Sequence, residues 1–329
     1  MSRRRARAFR IVARVVVPVA LTAYFLWKSH PRDVFAAAAG ANWRPMAVAV
    51  VLVLLDRSLL AYRWVVLLCT IEPGVRPPLA AVLRIFFVST FVGTFLPASV
   101  GGDAVRAYSI AKLNVRGGDA VASVLMDRIL GVASVLVMAL VGLMLTGDLA
   151  TNRTILGALV VSAAVCVVTM LLIFSGRSAA LAVRLVGGLP AAALRHAGHR
   201  VLESIRRYAA YRRQLVNVLA CSMAVQGLRI VQAYYLGRGL SMDVPLAIYF
   251  AFIPLILLVM LLPITVNGIG TSQAAFVWLF ARVGTPDAVA FALSVLFVAL
   301  GIVGNLPGGI LYVFGHGDRG RESRVQVTL

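Results

Sequence analysis

The sequence predicts an all-α polytopic membrane protein: about six full transmembrane helices plus two re-entrant broken-helix hairpins, arranged as an inverted repeat. Three observations carry that reading. The 329 residues are 61% hydrophobic, with a mean hydropathy of +0.92. Only 13% are charged, about half the share of a soluble domain. Two Pro/Gly-interrupted stretches, LPASVGGDAVRAY at 96–108 and LPITVNGIGTSQAA at 262–275, echo each other from the two halves of the chain.

Full spans are expected at about 11–27, 46–69, 119–145, 155–174, 214–236 and 287–314. The run ILGALVVSAAVCVVTMLLIF (155–174) carries no charge and is long enough to cross a hydrocarbon core of ~30 Å. The basic start and first apolar run resemble a signal peptide, but Arg14, Trp27 and Lys28 fit an uncleaved first helix better. Segments 79–112 and 245–282 each hold an apolar run, a Pro/Gly break and a second run. After the first break only residues 103–112 remain, about 15 Å of helix. A hairpin that enters and leaves on one side fits this better than two crossings.

Charge placement orients the chain. The net charge of +20 is concentrated in MSRRRARAFR and in 176–213, which holds eight Arg and one Glu. Basic segments beside apolar spans are retained in the cytoplasm, so both termini and the 176–213 loop are expected there. This placement argues against nucleic acid as a partner. LESIRRYAAYRRQ in that loop has the character of an amphipathic helix for an anionic lipid surface or a partner protein. Cys69, Cys166 and Cys221 stand singly in apolar segments and read as buried small hydrophobes; no metal or cofactor is expected.

A shift of 166 residues places Leu96-Pro97 on Leu262-Pro263, Val100 on Val266, Gly102 on Gly268 and Arg63 on Arg229. A two-residue gap later, Asp119-Ala-Val-Ala meets Asp287-Ala-Val-Ala. The expected organisation is therefore a single membrane domain: repeat unit 1 at about 46–145, a linking span and basic loop at 155–213, repeat unit 2 at about 214–315, and a cytoplasmic tail at 316–329. Inverted repeats with broken helices near the midplane are a recurring transporter plan.

Backbone that leaves helical geometry at membrane depth is tolerated where it is buried in protein or lines a wet cavity. Pro97 donates no backbone hydrogen bond, and Gly101 and Gly102 open turn conformations. A half-helix starting near Asp103 would aim its N–H groups at an anion such as a lipid phosphate, with Arg106 one turn on. The structural alternative makes Asp103 a cap paired with Arg106. Asp56, Arg57, Arg63, Arg84, Asp127, Arg128 and Arg229 are further charges at membrane depth, where each costs about 2.5–3.5 kcal/mol to insert centrally. Arg84, Asp127 and Arg128 lie near cytoplasmic ends, where snorkelling is an alternative to binding. The candidate headgroup-contacting set is Arg63, Pro97, Gly101, Gly102, Asp103, Arg106, Asp127, Arg128, Arg229, Pro263, Asn267, Gly268, Gly270 and Gln273.

YRWVVLL (62–68), LPASVGGDAVRAY (96–108), LMDRILG (125–131), LLPITVNGIG (261–270) and NLPGGILYVFG (305–315) occur here in a familiar order. From about residue 43 the chain resembles the lysylphosphatidylglycerol synthase transmembrane, flippase-like family. The resemblance implies a multi-spanning inner-membrane protein whose relatives move aminoacylated phosphatidylglycerol between leaflets, or are tied to polyprenyl-linked glycans or hopanoid lipids. Two departures are expected to matter. The chain ends at Leu329 without the synthases' aminoacyltransferase domain. Where the family often shows Gly-x-Gly-x-Arg-Glu, this chain has Gly268-Ile-Gly270-Thr-Ser272-Gln273, so a role resting on that charged pair, such as proton coupling, is in doubt.

The expected function is transport of an anionic, phosphate-bearing lipid or lipid-linked intermediate between leaflets. The alternative is an accessory membrane subunit for a separate lipid- or glycan-modifying enzyme. A membrane-embedded transferase is less favoured, because the short external loops offer no paired carboxylates or Ser/His/Asp grouping.

Overall fold

The computed structural model describes residues 22–71, 78–95, 100–113, 115–145, 157, 160, 192–208, 210–261 and 269–314. Among the described residues, ten α-helices have both ends defined: α1 Pro31–Ala39, α2 Trp43–Ile71, α3 Leu79–Phe95, α4 Val100–Ala111, α5 Gly117–Leu145, α6 Ala192–Tyr208, α7 Arg212–Gly239, α8 Leu246–Leu261, α9 Thr271–Phe280 and α10 Asp287–Phe314. A 3₁₀ turn at Ala281–Val283 extends α9. All but residues 157 and 160 of the expected 155–174 span, most of the first span and the 316–329 tail lie outside the described residues.

Among the described residues four helices, α2, α5, α7 and α10, are long and apolar enough to cross a membrane. Large apolar side chains on them are exposed, among them Val51, Leu55, Met144, Val216 and Ile310. Lipid, not water, is the natural solvent of such a surface. Cys69 is exposed and Cys221 half-buried, so these two thiols belong to that outer surface rather than to the core. A bilayer satisfies a small apolar residue as well as a protein interior does.

The two units are built alike. A long helix, a short apolar helix, a shorter helix and a second long helix occur as α2–α5 and again as α7–α10, with 29, 17, 12 and 29 residues against 28, 16, 10 and 28. At 1.5 Å per residue all four hairpin arms fall short of ~30 Å. Packing is reciprocal. The first helices of the units, α2 and α7, lie together; α5 packs on α8 of the other unit, and α10 packs on α3.

α2 and α7 run antiparallel. The N–H of Asn42, just before α2, donates to the carbonyl of Gly239 at the end of α7 (2.8 Å), whereas Arg63 near the other end of α2 reaches Ser222. The units therefore have opposite directions. Small residues permit the close crossings. A Cβ on Gly142 of α5 would collide with the Phe250 carbonyl of α8, and one on Gly308 of α10 with the Phe87 carbonyl of α3. With no hydrophobic force between helices in lipid, such close backbone packing is a main source of association.

The second arm of the first hairpin starts earlier than expected. Gly101 and Gly102 lie inside α4, which starts at Val100 rather than near Asp103. A Cβ on Gly102 would stand 2.8 Å from the Ser89 carbonyl and 3.0 Å from Gly93 Cα. Gly102 is thus small so that α3 and α4 touch, not so that the chain turns. Pro97 lies outside the described residues, as do Pro263, Asn267 and Gly268 of the second hairpin.

α6 is an amphipathic helix in the basic 176–213 segment. Ile205 and Tyr208 pack with Leu67, Met126, Leu130, Leu215 and Val218 at one end of the bundle, and Glu203 and Arg206 face outward.

Candidate functional site

Among the described residues three charged clusters link the helices, and the most enclosed one joins both hairpin arms of unit 1 to both long helices. Arg63 projects from α2, Arg106 from α4 and Asp127 from α5; they are 5%, 7% and 6% exposed. Arg63 Nε donates to Asp127 Oδ1 at 2.7 Å, its Nη1 to Ser222 Oγ of α7 at 3.0 Å, and its Nη2 to the Asp127 carbonyl at 3.4 Å. Arg106 Nη1 reaches Asp127 Oδ2 at 3.5 Å. Its Nε and Nη2 reach the hydroxyls of Ser89 and Thr90 on α3, each at 3.4 Å. The rings of Phe86 and Trp64 lie 4.5 and 5.2 Å from the Arg106 guanidinium carbon and cover it. One carboxylate thus stands between two cations in a water-poor setting, where an uncompensated charge is costly.

Asp103 does not pair with Arg106. Arg128 Nε donates to Asp103 Oδ2 at 2.7 Å, beside the Arg106–Asp127 contact. The one-turn spacing of Asp103 and Arg106 on α4 meets the adjacent Asp127 and Arg128 of α5, so the helices are joined by two ion pairs of opposite sense. Asp127 is buried and does not snorkel; the Arg128 side chain is 44% exposed. Of the expected set, Arg63, Asp103, Arg106, Asp127 and Arg128 come together here, with Gly102 supporting the α3–α4 contact.

A second cluster lies farther along the α2–α7 interface. Asp56, 1% exposed, accepts from Arg57 Nη1 and from Arg229 Nε, each at 3.2 Å. Arg57 Nη2 also donates to the Gly301 carbonyl of α10 at 3.3 Å. Arg229 is therefore apart from Arg106. The 166-residue shift that matches Arg63 to Arg229 also matches Asp56 to Ser222. Arg63 contacts residue 222, and Arg229 contacts residue 56.

The third cluster fixes α6. Asp119, at the start of α5, is paired with Arg116, Ser204 and Arg207. Tyr208 donates its hydroxyl to the Leu67 carbonyl of α2 at 2.9 Å. Burial, with Asp119 and Asp127 nearby, raises the Tyr208 phenol well above its ordinary pKa, so it remains a donor. The sequence marked Asp119 only as the repeat match of Asp287, not as an anchor for α6.

Gly270 and Gln273 serve the second hairpin differently from the charged pair of unit 1. Gly270 precedes α9 with φ 89°, a left-handed conformation suited to glycine. Its N–H donates to Gln273 Oε1, which also accepts from the Ser272 hydroxyl at 3.0 Å. Gln273 thus caps its own helix, and Ser272 and Gln273 are buried. The sequence reading missed Ser89, Thr90, Trp64, Phe86 and Ser222 as partners of the arginines, because uncharged residues in an apolar chain carry no distinguishing spacing.

Residues 11–308 match the family model described as Lysylphosphatidylglycerol synthase TM region. No curated protein matches the chain.

Proposed function

The chain belongs to the lysylphosphatidylglycerol synthase transmembrane-region family, and from that premise we propose that it moves an anionic, phosphate-bearing lipid or lipid-linked intermediate between the leaflets of a bacterial-type inner membrane. In this reading it acts as a transporter and not as an enzyme, with both termini in the cytoplasm. The observation that carries the reading is the buried Arg63 and Arg106 where the first hairpin meets the long helices, together with the part-buried Arg57 and Arg229 between the long helices. In both clusters arginines outnumber carboxylates, and net positive charge at membrane depth suits an anionic headgroup. Two antiparallel units of like construction supply a frame that can rock about such a site.

The test is reconstitution of the purified chain in liposomes, following leaflet exchange of labelled phosphatidylglycerol, an aminoacylated phosphatidylglycerol, phosphatidylcholine and a polyprenyl phosphate. Selective exchange of one anionic class, lowered at least tenfold by Arg106→Ala in folded protein, is the expected outcome. Wild-type exchange rates in that variant would show that exchange does not depend on the Arg106 cluster. No exchange of any lipid by folded, inserted protein would sink the transport reading.

The outward face of α6 favours a second reading, an accessory role for a separate lipid- or glycan-modifying enzyme. Arg200 and Arg206 are exposed on a helix that is itself pinned to the bundle by Asp119 and Tyr208. Co-purification of a stoichiometric enzyme, lost when these two arginines become glutamates, would support it.

A further inference from the structure

The two arginine clusters differ in what they leave unused. Arg63 and Arg106 are saturated: every guanidinium nitrogen of each has a partner in the protein. Arg229 uses only Nε, toward Asp56. Among the described residues its Nη1 and Nη2 have no partner, and the side chain is 25% exposed. Next to it Arg57 has a buried Nε without a partner. Two cations share the single carboxylate of Asp56, so one positive charge is left over.

The asymmetry between the units explains the surplus. In unit 1 the long helix α5 supplies Asp127 to Arg63. The corresponding stretch of α10, aligned through Asp119 and Asp287, is Leu293-Ser294-Val295 and carries no charge. The Ser294 hydroxyl donates to its own helix at Phe291, 2.6 Å away. Arg57 already packs close against α10 at a glycine. A Cβ at Gly304 would already lie 3.2 Å from Arg57 Nε and 2.7 Å from Val53. Arg57 therefore lies against bare helix backbone, tied to the Gly301 carbonyl, while Asp56 holds Arg229 by Nε and leaves its forked Nη edge open. That edge matches two oxygens of a phosphate monoanion, a geometry lysine cannot reproduce.

We propose that Arg229, oriented by Asp56 and backed by the charge of Arg57, makes the direct contact with the phosphate of an anionic lipid, at a station separate from the Arg63–Asp127–Arg106 cluster. The proposal rests on the lipid-transport reading for the source of the phosphate. It gives the saturated cluster the task of joining helices and the open one the task of binding.

The experiment measures binding by the detergent-purified full chain of four probes: short-chain dihexanoyl phosphatidylglycerol, the matching diacylglycerol without phosphate, glycerol phosphate and inorganic phosphate. Arg229→Gln should raise the Kd for the phosphatidylglycerol at least tenfold without changing the weak affinity for the diacylglycerol. Arg229→Lys, which keeps the charge and loses the fork, should fall between and guards against a Gln variant that fails to fold. Wild-type affinity in folded Arg229→Gln would overturn the station. Inorganic phosphate bound as tightly as the lipid would overturn the lipid assignment.

Liposome exchange separates the two ideas. Arg229-dependent binding without any lipid movement would sink transport and leave the station. Lipid movement with binding and rates unaffected by Arg229→Gln would sink the station and leave transport.

Discussion

The guanidinium of Arg63 donates to the hydroxyl of Ser222 at 3.0 Å, and this contact has a mirror: Arg229, the match of Arg63, reaches Asp56, the match of Ser222. The antiparallel α2–α7 pair is thus stapled twice by related residues, with different chemistry at each end. One staple joins an arginine to a neutral hydroxyl and takes its counterion from α5. The other joins an arginine directly to a carboxylate.

Asp127 should be the most costly of the polar residues to remove. Asp127→Ala leaves Arg63 and Arg106 facing each other in a site where each is less than a tenth exposed. Breaking one partner of a buried ion pair destabilises by about 3–5 kcal/mol. Thermal unfolding in detergent should show a large fall in Tm. A double variant, Asp127→Ala with Arg63→Met, should recover part of that loss, because it removes one of the two stranded charges. An unchanged Tm in Asp127→Ala would mean the cluster does not hold these helices.

Glycine crossings offer a sharper test of the reciprocal packing. An added methyl at Gly142 or Gly308 meets the backbone of the opposite unit, whereas at Gly117 or Gly227 it meets nothing within 4 Å. Gly142→Ala and Gly308→Ala should each destabilise by at least ~1–3 kcal/mol. Gly227→Ala, inside α7, should stabilise by up to about 1 kcal/mol through helix propensity. Folded yield and unfolding midpoints in detergent would check all three. Equal behaviour of Gly142→Ala and Gly227→Ala would contradict the α5–α8 crossing.

The contrast between spans and sites shows what the sequence could reveal. The expected 46–69, 119–145, 214–236 and 287–314 spans became α2, α5, α7 and α10 with ends moved by only a few residues, because a long apolar run has few alternatives in lipid. Arg63 and Arg229 were legible as partners in a repeat because charge stands out in an apolar chain. The meaning of Gly102 was not, since a glycine beside a proline break looks the same whether it turns the chain or lets Ser89 approach. Ser222 was also hidden: its match to Asp56 joins different residue types, and only the fold sets each against an arginine.

Gln273 should tolerate a change of charge better than a loss of its acceptor. Its Oε1 accepts from the Gly270 N–H and the Ser272 hydroxyl, and a glutamate in the same rotamer keeps both acceptor functions. Gln273→Leu should cost about 0.5–2 kcal/mol, as expected for a lost helix-start interaction. Gln273→Glu should retain the cap more nearly intact. Melting curves showing Glu more damaging than Leu would mean that charge, and not capping, governs this position.

Tyr208 links the basic helix to the spans in a way that pH can probe. Its folded-state pKa is raised by burial first, then by Asp119 and Asp127. The folded protein therefore holds this proton at pH values where the unfolded chain, titrating near pH 10, has lost it. The contribution is fully present below about pH 10 and is lost as pH rises from there through the folded-state pKa. Tyr208→Phe removes the hydrogen bond to the Leu67 carbonyl at about 0.5–1.5 kcal/mol and also removes this titration. Unfolding midpoints of wild type and variant should therefore differ at pH 8 and draw together above pH 10. Parallel curves across that range would show that the phenol does not titrate with unfolding, and superimposed curves that α6 is held by Asp119 and apolar packing alone.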